Sequence, residues 1–312
     1  MTRSDMLNGG AVVGVLVLGS VGALLAGTPA RVVAPPAASD APTASLVDAT
    51  GLEHRLAGYE RVASGCPVSD AILLELVAPE RLVAVTDRSR ESVRGWRFPE
   101  GASIRQDTST EGLVSLEADL IFVCSLGGSV EKIERAREAG LVVFDLGTML
   151  GLETLVPQVR SVAAMVGEPE RGEDLVRRFE TRLAGIAADL PPERRPRGMY
   201  LSVYGDQFFG GTAGSSYHDV LSAAGVIDLA AEHGFEGWPA YDTETLLSLD
   251  PALVVTREGG TEAICGHSQI GVIAACGDGG RVVELGTRLI DDPGLGMLEA
   301  AEALRLAVHG PP

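Results

Sequence analysis

Residues 110–123 read TEGLVSLEADLIFV, and residues 243–256 read TETLLSLDPALVVT. Six of the fourteen positions are identical, and both stretches have the form of a short helix running into a buried strand. Ser109 and Asp242 stand before them as matching N-cap residues, because a short side-chain oxygen can accept from the first free amides of a helix. The closing runs of Val, Ile and Leu lack period-two alternation, which marks strands covered on both faces. Each copy carries one glutamate in its first helical turn, Glu111 and Glu244. A unit used twice, so far apart, predicts two lobes built alike, each showing one carboxylate.

The same grammar extends outward from both copies. In the first half, strands are expected over 61–65, 82–86, 120–124 and 141–147, with helices over 68–77 and 132–139. In the second, strands are expected over 198–204, 252–256 and 282–285, with helices over 217–224, 243–249 and 296–308. Short apolar runs alternating with helices predict an α/β fold of two Rossmann-like lobes with parallel-rich sheets. The lobes are placed at 46–150 and 197–312, with connecting helices over 151–196. Within that connection, Leu175, Val176, Phe179, Leu183 and Ile186 have helical spacing. A helix of about 20 residues from Pro169 would reach about 30 Å, enough to cross between lobes.

The chain has 312 residues with 43 acidic against 25 basic, a formal net charge of -18. Lys132 is the only lysine, so no basic stripe is available and nucleic acid is excluded as a partner. Arg3, an apolar stretch over 11–26 and small residues at Gly27, Thr28 and Ala30 read as an export signal over 1–30, cleaved or kept as an anchor. An Ala/Pro-rich tether over 31–45 follows. In an exported chain, an even number of cysteines favours disulfides. Cys265 and Cys276 form the local pair, while Cys66 and Cys124 end expected strands and meet if those strands are neighbours. Zinc is the weaker reading, since no C-x-x-C unit occurs.

With VDATG at 47–51, ERVAS at 60–64, SDAIL at 69–73, RLVAVT at 81–86, both repeat copies and the glycine-led segment 210–225, the chain resembles the substrate-binding proteins of ABC importers for iron-siderophores, haem and vitamin B12. The resemblance covers about 46–310. It implies two α/β lobes joined by a rigid spanning helix, modest closure on a ligand, a monomer, and a periplasmic location. It also implies that Glu111 and Glu244 dock into arginine pockets on the two halves of a permease dimer. A local reading stands beside this, since a first-turn glutamate is favoured by the helix dipole by about 0.3–1 kcal/mol.

Ligands of open parallel sheets bind beyond the carboxyl ends of the strands, so the expected site is the groove between lobes. In the first lobe its candidates are Arg88, from a cluster with Arg90 and Arg94, Trp96, and the loop 125–128. In the second they are Tyr204, Phe208, Trp238 and Tyr241, whose flat rings suit large chelates. Haem would need an axial ligand, for which Tyr217, His218 and Tyr59 are the candidates. The haem-binding branch resembles a Gly-Tyr pair ahead of the first repeat, where this chain has ASIRQ at 102–106. The expected cargo is therefore an iron-siderophore first, cobalamin second and haem third, with no resident cofactor or metal and no chemistry performed. Ser216, His218 and Asp219 are too close along one helix start for a catalytic relay, and no phosphate loop of the G-x-x-x-x-G-K type occurs. An exported two-lobe enzyme and a tethered ligand sensor are the alternatives.

Overall fold

The computed structural model describes residues 44–91, 95–98, 100–124 and 130–311. The export signal, nearly all of the tether, Arg94 and the 125–128 loop lie outside the described residues. Among the described residues, no helix is long and apolar enough to cross a membrane.

The first half builds a five-stranded parallel sheet in the spatial order Ala102–Ile104, Leu82–Thr86, Val62–Ser64, Leu120–Val123, Val143–Asp145. The second builds a four-stranded parallel sheet in the order Ile227–Asp228, Arg197–Tyr200, Leu253–Arg257, Arg281–Leu285. In both sheets the strand of the repeat pairs with the strand that opens the α/β series, Val62–Ser64 in one and Arg197–Tyr200 in the other. The strand order doubles back at that pair. The fold is thus α/β with parallel-rich sheets, and the repeat occupies the same place in each.

The single strand expected over 198–204 is divided at Leu201. Arg197–Tyr200 stays in the parallel sheet, while Ser202–Tyr204 joins Gln207–Phe209 and Ala240–Tyr241 in a separate antiparallel sheet. The division follows from a two-residue hairpin: Tyr204 pairs with Gln207 and Gly205 takes φ 61°, a conformation that lets the chain reverse at once. A second hairpin, Ser45–Val47 with Glu53–Arg55, precedes the first lobe.

The two repeat units agree down to the backbone. Their helices are Thr110–Val114 and Thr243–Leu249; the Ser109 hydroxyl accepts from Gly112 N at 3.2 Å and the Asp242 carboxylate from Thr245 N at 2.7 Å. Leu113 and Leu246 are buried in equivalent positions. Glu117 (φ 49°) and Asp250 (φ 40°) are the non-glycine residues with left-handed backbone among the described residues, and they too are equivalent. One such residue after the last turn ends a helix and redirects the chain, here into the strand. Asp250 has a side-chain reason to be there, since its carboxylate accepts from Ala274 N at 2.7 Å. Glu117 is held through its backbone: its N–H donates to the Val114 carbonyl at 3.1 Å and its carbonyl accepts from Arg61 Nε at 2.7 Å. Replacing Glu117→Gly is therefore expected to raise stability by up to about 1 kcal/mol, by removing Cβ strain. Asp250→Gly should gain less or lose stability. Urea midpoints of the two variants test this, and a drop for Glu117→Gly would show that its side chain matters more than its backbone.

Two helices, Leu152–Met165 and Pro169–Gly185, make the span between the sheets. The first is capped at its two ends by opposite lobes. Asp219 of the second lobe accepts from Leu152 N at 2.8 Å, and Arg81 of the first lobe donates to the Val166 carbonyl at 2.7 Å. A carboxylate at the N-terminus and a guanidinium at the C-terminus both complement the helix dipole. The second helix runs back the other way: Arg171 donates to the Glu75 carbonyl at its start (2.9 Å), and Arg182 pairs with Glu302 near its end (2.6 Å). Gly172 allows the two to cross closely, since a Cβ there would lie 2.4 Å from that of Ala163. Leu155, Val159, Phe179 and Leu183 share one apolar core with Ile72 and Leu73 of the first lobe and Leu221 and Leu304 of the second. That core is continuous from lobe to lobe.

Candidate functional site

The strand carboxyl ends of both sheets open on a cavity of about 1480 Å³. Its walls come from the first lobe (Cys66, Ala71, Arg88, Phe98), the second bridging helix (Phe179, Arg182) and the second lobe (Glu258, Arg288, Asp291, Leu295). Arg288 also reaches across to donate to the Glu91 carbonyl at 2.7 Å, a direct contact between lobes.

On the first-lobe side, Cys66 and Cys124 follow the adjacent strands Val62–Ser64 and Leu120–Val123 and are joined as a disulfide in the cavity wall. Cys66 is the N-cap residue of helix Pro67–Leu76, in whose first turn Asp70 is fully buried. Burial drives the Asp70 carboxyl up to about 6, against hydrogen bonds from Ser64, Thr86 and Ser89 that lower it. Asp70 accepts from Thr86 N at 3.0 Å, and the Thr86 hydroxyl in turn caps helix Asp87–Arg90. This chain of caps fixes the element that carries Arg88.

On the second-lobe side, Arg257 ends the repeat strand at the point where strand order reverses, the crevice position of an open α/β sheet. Its Nε donates to Asp291 at 3.0 Å, and the Tyr217 hydroxyl donates to the same carboxylate at 2.8 Å. Arg257 also hydrogen-bonds the Tyr204 hydroxyl and lies 5.5 Å from that ring's centroid. The Tyr217 ring sits 4.0 Å from Tyr200 and 5.0 Å from Trp238 between centroids. Gly211 makes room for it, because a Cβ there would meet the ring at 2.2 Å. Burial, with Tyr200 and Asp291 nearby, pushes the Tyr217 phenol far up, so it remains a proton donor to Asp291. The result is an arginine whose charge is already answered, beside a stack in which Tyr200 is buried and Trp238 is the half-exposed outer ring.

The candidates read from sequence are distributed unevenly around this site. Arg88 lines the cavity. Tyr204 and Trp238 are half-exposed members of the Arg257 and Tyr217 clusters. Trp96 is 83 % exposed and, like Tyr204 and Trp238, is not among the residues lining the cavity, although Arg97 and Phe98 beside it are. Phe208 and Tyr241 need correcting: they pair across the antiparallel sheet and, at 2 % and 5 % exposure, turn into the second-lobe core, leaving little surface for a ligand. Of the axial candidates, His218 is engaged by Asp228 (2.9 Å), which raises its pKa, and the Tyr59 hydroxyl donates to the Arg55 carbonyl (3.1 Å). Arg257 heads the loop 257–260, which follows the second repeat strand and is one of those expected to face the groove, although it was not singled out; Asp291 escaped the sequence reading.

Glu111 and Glu244 are both solvent-exposed on their helices. The Glu111 carboxyl is held below the usual range by its own backbone N–H and the Ser109 hydroxyl. Cys265 and Cys276 are joined, and the loop they close braces the second copy at both ends: Thr243 donates to Gln269 at 3.0 Å, and Ala274 N to Asp250.

Comparison with known proteins agrees with this architecture. The chain is 25% identical over 213 residues to a cobalamin-binding protein of Halobacterium salinarum, a match that takes in 65% of this chain and 56% of the relative. The chain thus spans a little over half the length of the curated relatives it matches. Among solved structures, it superposes on a periplasmic haem-binding protein from Roseiflexus in its apo form with a TM-score of 0.66 at 23% identity, covering 81% of this chain and 98% of that one. It also superposes on a possible iron-binding, periplasmic solute-binding protein from Staphylococcus epidermidis with a TM-score of 0.71 at 16% identity, covering 81% and 99%. A periplasmic binding protein from Veillonella parvula gives 0.70 at 18% identity, covering 86% and 98%. The profile of the family described as "Periplasmic binding protein" matches residues 62–269, and with two sheets, two bridging helices and a cavity between them, the chain belongs to that family.

Proposed function

We propose that this protein captures a macrocyclic metal chelate, cobalamin first, in the inter-lobe cavity, and delivers it unchanged to an ABC importer through contacts at Glu111 and Glu244. The observation that carries the reading is the Arg257–Asp291–Tyr217 cluster beside the rings of Tyr200, Tyr217 and Trp238. Asp291 of this cluster lines the cavity, and the half-exposed rings of Tyr204 and Trp238 supply flat area next to a few fixed polar groups, the usual make-up of a small-molecule site. Its near-neutral balance favours a ligand rich in amides over one presenting several bare carboxylates, since Arg257 already has a counter-ion. The name of the Halobacterium relatives points the same way. Cobalamin thus moves ahead of the iron-siderophore.

A haem reading is supported by one feature: the half-exposed Tyr204 hydroxyl bonded to Arg257. Ferric iron accepts a tyrosine oxygen as an axial ligand.

Trp96 and Trp238 are the two tryptophans, so fluorescence titration is informative. Cyanocobalamin is expected to quench emission with a submicromolar Kd and to be recovered unaltered by mass spectrometry. Arg257→Ala should weaken it about tenfold, the value of one lost charge-assisted bond. A haemin Soret shift abolished by Tyr204→Phe, with no response to cyanocobalamin, would replace this reading with the haem one; recovery of an altered ligand would make the protein an enzyme.

A further inference from the structure

We infer that the cavity is electrically polarised and takes a dipolar chelate, one with an amide-rich body and a single anionic group on an outlying arm, the anion being held by Arg88 and Arg178. The inference rests on the cobalamin reading above and adds to it the direction in which the ligand lies and the group that fixes it. On that reading the anion is the phosphodiester of the nucleotide arm.

The charged residues of the cavity are segregated by wall. One wall, made by the first lobe and the second bridging helix, carries Arg88, Arg97, Arg177, Arg178 and Arg182, with Glu75 as its one acid. The other, made by the second lobe, carries Glu258, Asp291, Asp292 and Glu299, with Arg288 as its one base. Arg288 stands at the seam, since it donates to the Glu91 carbonyl of the first lobe. In a chain with 43 acidic against 25 basic residues, a wall of five arginines is the reverse of what composition alone would place there. A cleft whose walls differ in sign orients a dipolar guest.

Most of these charges are answered within the protein. Arg97 pairs with Glu75 at 2.8 Å, Arg182 with Glu302 at 2.6 Å, and Arg177 with Asp174. Asp291 is shared by Arg257 and Tyr217. Among the described residues, Arg88 and Arg178 have no carboxylate partner and Glu258 has no basic one. That remainder suits one anion held by two guanidiniums, each offering a fork of N–H donors. Glu258, on the opposite wall, accepts from amides and repels a ligand that is negative at both ends. Both arginines stand on fixed elements. Arg88 belongs to the helix Asp87–Arg90, capped by Thr86, and Arg178 lies one turn before Arg182 on the same face of Pro169–Gly185. Donors placed in advance lose less entropy on binding.

The test compares the Kd of cyanocobalamin with that of dicyanocobinamide, which keeps the corrin body and lacks the nucleotide arm with its phosphodiester. The wild type is expected to bind cyanocobalamin about tenfold more tightly, the value of one charge-assisted contact. Arg88→Gln together with Arg178→Gln should bring the ratio of the two constants close to one, because cyanocobalamin loses its advantage. Glu258→Lys, which turns an acceptor on the other wall into a donor, should weaken both ligands together and keep the ratio. Raising the salt from about 0.05 M to about 0.5 M should shrink the wild-type ratio severalfold, as screening of an exposed ion contact requires. That measurement needs no variant to fold. A wild-type ratio near one would overturn the inference while leaving corrinoid capture intact. So would a ratio that neither salt nor the double arginine variant changes. Binding of neither corrinoid would remove the cobalamin reading and this inference together.

Discussion

Cells carrying Glu111→Arg together with Glu244→Arg are expected to lose uptake of labelled cobalamin by about a hundredfold or more, while the purified variant binds cyanocobalamin as the wild type does. Truncating one partner of a buried charge pair at an interface costs about 2–5 kcal/mol; reversing the sign adds repulsion, and here it is done at both ends. Each single reversal should fall between. Capture should be untouched because both glutamates sit at helix starts outside the cavity wall. Local damage is small: an arginine in a first helical turn loses about 0.3–1 kcal/mol of dipole interaction, which a thermal melt would register as a shift of a few degrees. Uptake retained at wild-type level in the double variant would reduce the matching glutamates to helix-start residues favoured only by the local dipole.

Removing the Cys66–Cys124 disulfide should destabilise the protein more than removing Cys265–Cys276. The first closes a separation of 58 residues and the second of 11. In the chain-entropy treatment these correspond to about 4 and about 3 kcal/mol respectively. Urea denaturation of the Cys66→Ala/Cys124→Ala and Cys265→Ala/Cys276→Ala variants measures both. Functionally the two should separate cleanly. The first disulfide is part of the cavity wall and fixes the start of helix Pro67–Leu76, so its loss should also weaken ligand binding. The second braces the repeat helix Thr243–Leu249, so its loss should spare binding and lower uptake. Equal loss of affinity in both variants would contradict this division.

Much of the architecture was legible because buried parallel strands have a strong signature. The strands Leu82–Thr86, Leu120–Val123 and Leu253–Arg257 contain the unbroken apolar runs 82–85, 120–123 and 253–255, which suit a doubly covered sheet, and the helix Thr243–Leu249 has a clear cap at Asp242. The antiparallel sheet was not legible. Its strands are two or three residues long, too short for alternation to show, and the Gly205 turn lies inside what reads as one strand with its loop. Phe208 and Tyr241 were misplaced for the same reason: which face a ring takes depends on register, and register is fixed by pairing. Tyr217 was named as a candidate ligand, but its meeting with Arg257 and Asp291 was not legible, since the cluster joins a strand end, a helix start and a later turn that come together only in the folded chain.

The helix Leu152–Met165 is held by Asp219 at one end and Arg81 at the other, and its 14 residues give it a length of about 21 Å. Fastened at both ends and backed by a second helix, it is expected to act as a stiff strut and not as a hinge. Parting the lobes then requires mechanical work on that strut, which thermal motion supplies only rarely. Residence time follows from this: a captured ligand should dissociate slowly in free solution, and faster once a partner grips each lobe and pulls. On the proposed function, delivery would then be governed by force applied from outside, with the strut setting how much is needed.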